Sequence, residues 1–306
     1  FCSERECIMS HRPAHPERRR RQRGADGLPP CFHTAICYDA DRQRTQRNAL
    51  LRIAVFDSGI GGLTVLRQAL TALPDDVFIY YADTRNAPYG VKPKAEVAAH
   101  VLAAADFLAD RQIDALVVAC NTATAVAIQA LRARFPFPVI GMEPAVKPAL
   151  EQNTGKKVMV FATSLTLRAS KLDTLISNLG QGHNVSRRAL DRLVTFAEAY
   201  EFDTPGLRAY LDQVLADVPW QDYESVVLGC THFLFYRRLI QAQIGPDLRV
   251  LDGNQGTVNQ LVRILRPLRQ RAAASPKSPR VTFYASGNPE TPARVTRMLA
   301  LLSSSY

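Results

Sequence analysis

Two cysteines 110 residues apart occupy matching places in this chain. Cys120 ends the apolar run "DALVVAC" (114–120) and is followed by Asn121–Thr122; Cys230 ends "SVVLGC" (225–230) and is followed by Thr231–His232. An unperturbed thiol has a pKa of about 8.5, so a nearby base, cation or helix N-terminus can make it either a proton donor or a thiolate. A thiolate and a thiol on opposite faces of a bound carbon acid could remove a proton from one side and return one on the other. Such a pair inverts a stereocentre without a cofactor. The plainer alternative is two structural cysteines, since free Cys is among the most buried residue types. A structural thiol does not require a hydrogen-bonding pair after it, and here the pattern occurs twice. A disulfide reductase fits less well, because it usually keeps its cysteines in a local Cys-x-x-Cys.

The elements that must position these thiols read as alternating strands and helices. "RIAVF" (52–56) runs to Asp57 and the Gly-rich turn "SGIGG", followed by an amphipathic helix with Leu63, Leu66, Leu70 and Leu73 on one face. Then come "VFIYYAD" (77–83), a helix over about 94–110, "DALVVAC", a helix over about 123–134, and "FPVIGM" (137–142). The second half repeats the scheme: "KKVMVF" answers "LRIAVF", "YESVVLGCTHF" answers "IDALVVACNTA" and "LRVLDG" answers "FPVIGM", at offsets of 105, 110 and 111 residues. A further helix starts at "DTPGLRAYLDQVL", with Thr204 as N-cap and Pro205 at its first position. Buried parallel strands are continuous apolar runs, so the pattern predicts an α/β fold of two pseudo-symmetric, doubly wound parallel-sheet lobes. Ligands of such sheets bind beyond the carboxyl ends of the strands, which puts the active site in the cleft between the lobes, with one thiol from each side. The expected division is residues 51–147 with about 256–306 as the first lobe and about 148–255 as the second. The strand "RVTFYASG" (280–287) and a helix over about 290–302 exceed the repeat and pack back onto the first lobe.

Charge and composition narrow the function classes. The chain is 47% hydrophobic and 22% charged, and no apolar run approaches the roughly 18 residues of a membrane span. Residues 1–50 hold ten arginines, no lysine and six acids, so they carry four of the ten excess positive charges. That segment has no clear helical or strand period and reads as an appended or upstream-translated, disordered basic tail. Lacking aromatic interleaving, it makes a poor nucleic-acid arm, and the remaining charge is spread over both lobes. Cys2, Cys7, Cys31 and Cys37 fall within it at intervals matching no compact metal pattern, so no metal site is expected. Two cysteines in the rest are no disulfide framework and suit a reducing cytoplasm. "SGIGG" has neither the Walker spacing nor G-x-G-x-x-G, so it is no phosphate loop. His100 and His183 have no partner in the pattern and read as structural or solvent-facing.

At "IAVFDSGIGGLTVLR" (53–67), "YADTRNAPYG" (81–90), "VVACNTATAVAI" (117–128), "PVIGMEPAVKPA" (138–149), "VVLGCTHF" (226–233) and "FYASGNP" (283–289), the chain resembles the cofactor-independent glutamate racemases of bacteria, within the aspartate/glutamate racemase superfamily. The resemblance covers about 51–302. It implies that Cys120 and Cys230 are the acid/base thiols, with Asp57 assisting Cys120 and His232 assisting Cys230. It implies that Asp57 and Ser58 contact the substrate amine, and that Tyr89, Gly90, Asn121, Thr122, Thr231 and His232 hold the carboxylates and amine. It implies that Glu198, in "TFAEAY", is a glutamate near the second cysteine, and it adds Thr124 to the site. It implies no cofactor, glutamate as substrate, D-glutamate supplied to peptidoglycan, and a homodimer whose face the sequence does not reveal. Aspartate or another small amino acid is the alternative substrate. From a different class, a catalytically weak binding or regulatory relative remains open. The chain departs from the family pattern in its second lobe: Phe233, Leu234 and Phe235 replace the usual Tyr-Pro-Leu, Leu165 and Ala169 stand where Gly and Ser are favoured, and "RALDRLVTFAEA" lacks a Cys-Pro-Gly start. These changes bear on the packing beside Cys230.

Overall fold

The computed structural model of the chain describes residues 33–36, 50–152, 155–180, 184–269 and 280–286, with positions 297, 300 and 301. Its first sheet contains β1 (His33–Ile36), β2 (Arg52–Asp57), β3 (Val77–Ala82), β4 (Ala115–Val118), β5 (Val139–Gly141) and β10 (Arg280–Ser286), in the order β1-β10-β3-β2-β4-β5. The second contains β6 (Lys157–Ala162), β7 (Val185–Ala189), β8 (Tyr223–Leu228) and β9 (Arg249–Asp252), in the order β7-β6-β8-β9. Every pairing is parallel except that of β1, which runs antiparallel to β10. Two parallel-sheet α/β lobes are therefore present, their successive parallel strands joined by helical crossovers.

Side-chain alternation explains how each sheet is covered on both faces. From β2, Ile53 and Val55 enter one buried cluster with Leu63 and Leu66 of α1 (Leu63–Ala72), while Ala54 and Phe56 enter another with Val97 and Val101 of α2 (Lys94–Ala109) and Ala127 of α3 (Asn121–Arg134). From β6, Val158 and Val160 pack with Leu150 of α4 (Val146–Glu151) and Ile176 of α6 (Ser170–Asn178), the short α5 (Ser164–Leu167) lying between. The other face of β6, Met159 and Phe161, joins the same cluster as Ile53 and Val55, so one continuous core runs through both lobes.

The remaining helices are α7 (Arg192–Glu198), α8 (Pro205–Leu215), α9 (Arg237–Ile244) and α10 (Asn254–Arg269). Helix α8 starts as its sequence dictates: the Thr204 hydroxyl accepts from the Leu207 N–H at 3.3 Å, with Pro205 in the first turn. The chain leaves the first sheet after Gly141 and comes back to that lobe with α10, ahead of β10. The return is pinned by the Asn254 amide, which donates to the Thr64 hydroxyl at 3.0 Å, and that hydroxyl donates to the Gly61 carbonyl at 2.9 Å.

Two features differ from the sequence reading. Within the segment expected to be disordered, residues 33–36 form a strand along the open edge of β10, which otherwise presents unpaired backbone groups; the rest of that segment lies outside the described residues. Strand β7 was not anticipated, because "VSRRA" has no apolar run. Its arginines are edge-strand side chains held by Asp173 and Asp217 at 2.6 and 2.5 Å. The helix expected over 290–302 lies outside the described residues, apart from positions 297, 300 and 301.

Phe161 is fully buried and its ring meets Trp220 edge-on at 6.4 Å. Phe161→Ala is expected to destabilise by about 3–5 kcal/mol in urea unfolding. Val91→Ala, at a position 60% exposed, should change stability by less than about 0.5 kcal/mol.

Candidate active site

Both thiols follow the carboxyl ends of corresponding central strands. Cys120 lies two residues beyond β4 and Cys230 two beyond β8; both are buried, at 6% and 7% exposure, and both are free. Their surroundings differ. Cys120 is the N-cap of α3, its sulfur accepting from the Ala123 N–H at 3.4 Å and lying 3.5 Å from the Ser58 hydroxyl. Burial and the neighbouring Asp57 carboxyl push the Cys120 thiol up to about 12, against an ordinary value near 9. Cys120 is therefore protonated at neutral pH. Cys230 instead precedes a 3-10 segment, Thr231–Tyr236, that runs into α9, so only Cys120 caps a regular α-helix.

Asp57 and His232 sit between them, wholly buried. Asp57 accepts from the Gly59 N–H at 2.8 Å and from the Thr231 hydroxyl of the other lobe at 3.1 Å. Burial raises its carboxyl above the usual range, opposed by the His232 charge and those two hydrogen bonds. His232 places Nδ1 3.9 Å from the Cys230 sulfur and Nε2 2.8 Å from Glu198 Oε1. Burial alone would lower the imidazole pKa. The hydrogen bonds to Cys230 and Glu198 and the nearby Asp57 outweigh it, holding His232 well above its ordinary value and hence protonated. The Gly61 N–H lies 3.3 Å from the same Nε2 and would need that nitrogen bare; the shorter contact to the carboxylate decides for a proton on Nε2.

Glu198 lies beside the His232 that faces Cys230. One of its oxygens accepts from the Ile60 N–H of the first lobe at 2.7 Å and faces His232. The Gly-rich turn makes this approach feasible: a Cβ on Gly61 would fall 2.4 Å from His232 Nδ1. "SGIGG" thus brings main chain against the second lobe's ring and carboxylate.

The other expected residues divide. Ser58, Asn121, Thr122 and Thr231 are buried at the interlobe face near the thiols. The Thr122 hydroxyl meets those of Thr163 and Thr166, from the second lobe, at 2.9 and 3.0 Å. Tyr89 and Gly90 face the same region, with Gly90 packed against Thr163. Thr124 has its hydroxyl committed to the main chain, donating to Val118 O and accepting from Met142 N. His100 stacks on Tyr89 and pairs with Glu96, and His183 lies outside the described residues. Sequence reasoning missed Thr163 and Thr166, although the repeat held the signal: the 105-residue offset carries Ser58 onto Thr163. Among the described residues, no group of three or more His, Cys, Asp or Glu is arranged to hold a metal ion, and no helix is long and apolar enough to cross a membrane.

Comparison with known proteins agrees with this geometry. The model of the Asp/Glu/Hydantoin racemase family matches residues 63–261. The chain belongs to that family. Among its relatives, the glutamate racemase of Halothermothrix orenii is 46% identical over 237 residues, covering 78% of this chain and 93% of the relative, and glutamate racemase 2 of Bacillus subtilis is 42% identical, covering 78% and 89%. Two solved family members superpose closely. The glutamate racemase isoform RacE1 of Bacillus anthracis has a TM-score of 0.73 at 29% identity, covering 82% of this chain and 94% of that one. Escherichia coli glutamate racemase, in complex with L-glutamate and the activator UDP-MurNAc-Ala, has a TM-score of 0.72 at 28% identity, covering 83% and 95%.

A pH dependence of stability follows from Cys120. Folded, the thiol keeps its proton to about pH 12, whereas the unfolded thiol releases it near 9. Unfolding therefore releases a proton between those values, and stability falls as pH rises through that window, by about 4 kcal/mol at most. Cys120→Ala should lose this part of the slope, measured by urea unfolding of both proteins from pH 8.5 to 11.

Proposed function

We propose that the chain is a glutamate racemase that interconverts L- and D-glutamate with two cysteine acid/base groups. The observation that carries this reading is the asymmetric pair of buried thiols: Cys120 is held as a proton donor, while the Cys230 sulfur lies 3.9 Å from a protonated His232, whose charge balances the one a thiolate would carry there. Cys230 as thiolate takes the Cα proton of one enantiomer, leaving the electron pair in a planar carbanion delocalised into the α-carboxylate. Cys120 then gives its thiol proton to the opposite face. The products are the inverted amino acid, a Cys230 thiol and a Cys120 thiolate, and the other enantiomer runs the sequence in reverse.

Site chemistry supports the assignment of the remaining residues. Hydroxyl and N–H donors fixed before the reaction can stabilise negative charge developing on the substrate, most strongly where water is excluded. Thr122, Asn121 and Thr231 are donors of that kind beside the thiols, and Asp57 with Ser58 is suited to an ammonium group. Glu198 orients the imidazole of His232. Substrate identity rests on the relatives, which carry the glutamate racemase name throughout close matches in sequence and fold. We further assign the D-glutamate product to peptidoglycan assembly, supported by the UDP-MurNAc-Ala activator of the E. coli relative. A cytoplasmic setting accords with two free thiols.

The test is incubation of each glutamate enantiomer in D₂O, following optical activity and α-deuterium together, with L-aspartate in parallel. Racemisation with deuterium incorporation is expected, reduced by about a hundredfold or more in Cys120→Ser and Cys230→Ser. Folded, reduced protein that exchanges the α-proton of neither glutamate enantiomer would sink the proposal, and turnover of aspartate alone would reassign the substrate.

A further inference from the structure

Asp83 ends the third strand of the first lobe, and the mechanism above does not use it. Its carboxylate is 2% exposed, yet three side chains converge on it. Asn86 donates through its amide at 2.9 and 3.1 Å, and the hydroxyls of Tyr89 and Ser286 donate in short hydrogen bonds, Tyr89 to Oδ2 and Ser286 to Oδ1. The Asp83 N–H donates to the Asp57 carbonyl at 2.9 Å, which ties this knot to the strand end that carries the buried acid of the site. Around it, the Thr84 hydroxyl donates to the Ser286 carbonyl at 2.8 Å and the Arg85 N–H to the Ser286 hydroxyl at 3.2 Å. The whole 83–90 segment is thereby laced to β10, a strand nearly 200 residues away in sequence.

The Tyr89 hydroxyl is the informative group. A tyrosine at a substrate cleft would ordinarily offer its hydroxyl to the ligand. Here the ring is 1% exposed, stacked on His100 at 6.3 Å, and the hydroxyl is spent on Asp83. What the segment presents to the interlobe region is therefore main chain, at Tyr89 and Gly90. A Cβ on Gly90 would sit 2.5 Å from the Thr163 side chain of the second lobe, so the segment has no room to drift toward it. A charged acceptor under Tyr89 is stronger than a neutral one and fixes the ring at a single depth.

We infer that Asp83 is a positioning residue: its buried carboxylate sets the height of the Tyr89–Gly90 main chain against the substrate, with Ser286 of β10 as its second tether. The C-terminal strand, which lies outside the internal repeat, is thereby made part of the site's geometry. This inference rests on the racemase reading, because it concerns where that enzyme's substrate is held.

The experiment measures kcat and KM for both glutamate enantiomers, together with thermal unfolding, in Asp83→Asn, Tyr89→Phe, Ser286→Ala and the Asp83→Asn/Tyr89→Phe double variant. The unmutated chain in the same assay reports separately on the racemase reading. Tyr89→Phe keeps the ring and its stacking, so it tests the hydrogen bond without a cavity. The expected result is a KM raised about tenfold in Asp83→Asn and Tyr89→Phe with kcat within about threefold of the parent, as the loss of one hydrogen bond to a charged group at a binding element implies. Ser286→Ala should shift KM in the same direction by less. The double variant should be no worse than the weaker single, because both break one contact. A lowered unfolding temperature with unchanged KM in Tyr89→Phe, or KM effects that multiply in the double variant, would overturn the inference and leave Asp83 a structural acid.

Discussion

Everything at this site depends on one oxygen of Glu198. It belongs to the second lobe, accepts from a main-chain N–H of the first, and faces the imidazole that in turn faces Cys230. Without the first lobe's Ile60 beneath it, the carboxylate would lose a fixed partner and the ring would lose its orientation. The Asp57–Thr231 hydrogen bond repeats the arrangement in the opposite direction, with the acid on the first lobe and the hydroxyl on the second. Each thiol's supporting group is therefore held by the lobe opposite it. The machinery is complete only when the lobes are pressed together, which is why a single buried cluster runs through both.

Burying charge this way is expensive, and the charges compensate one another. Two carboxylates, Asp57 and Glu198, share the interior with one protonated ring, His232; an unpaired ion there would be driven to neutrality. The ring lowers Asp57 while Glu198 raises it, and Asp57 raises the Cys120 thiol. A nearly symmetric pair of strands thus places two thiols in unlike surroundings. The duplication provides the positions, and the unduplicated residues Asp57, Glu198 and His232 provide the difference.

Local sequence carried those parts whose physics is local. Continuous apolar runs marked the buried parallel strands, the Thr204–Pro205 pair marked the start of α8, and the repeat offsets placed the two thiols. Strand β7 escaped because an edge strand can carry arginines as well as valines. Thr163 and Thr166 escaped because their partner, Thr122, lies some forty residues away on the other lobe, and the one mark in sequence is the repeat offset that carries Ser58 onto Thr163. Thr124 illustrates the converse. It stands close to Cys120 in sequence, but helical geometry turns its hydroxyl onto the strand ends at Val118 and Met142.

The second-lobe departures from the family pattern can now be read physically. Phe233, Leu234 and Phe235 are all buried, with Phe235 against Phe202 at 5.2 Å, while the Tyr236 hydroxyl donates to the Glu201 carbonyl at 3.1 Å. The turn after Cys230 is thereby anchored to the segment that follows Glu198. Leu165 joins the first lobe's cluster beside Tyr89 and Cys120 from its place on the second lobe. Phe235 thus packs within the second lobe's own core beside Phe202, whereas Leu165 adds apolar contact across the interlobe face.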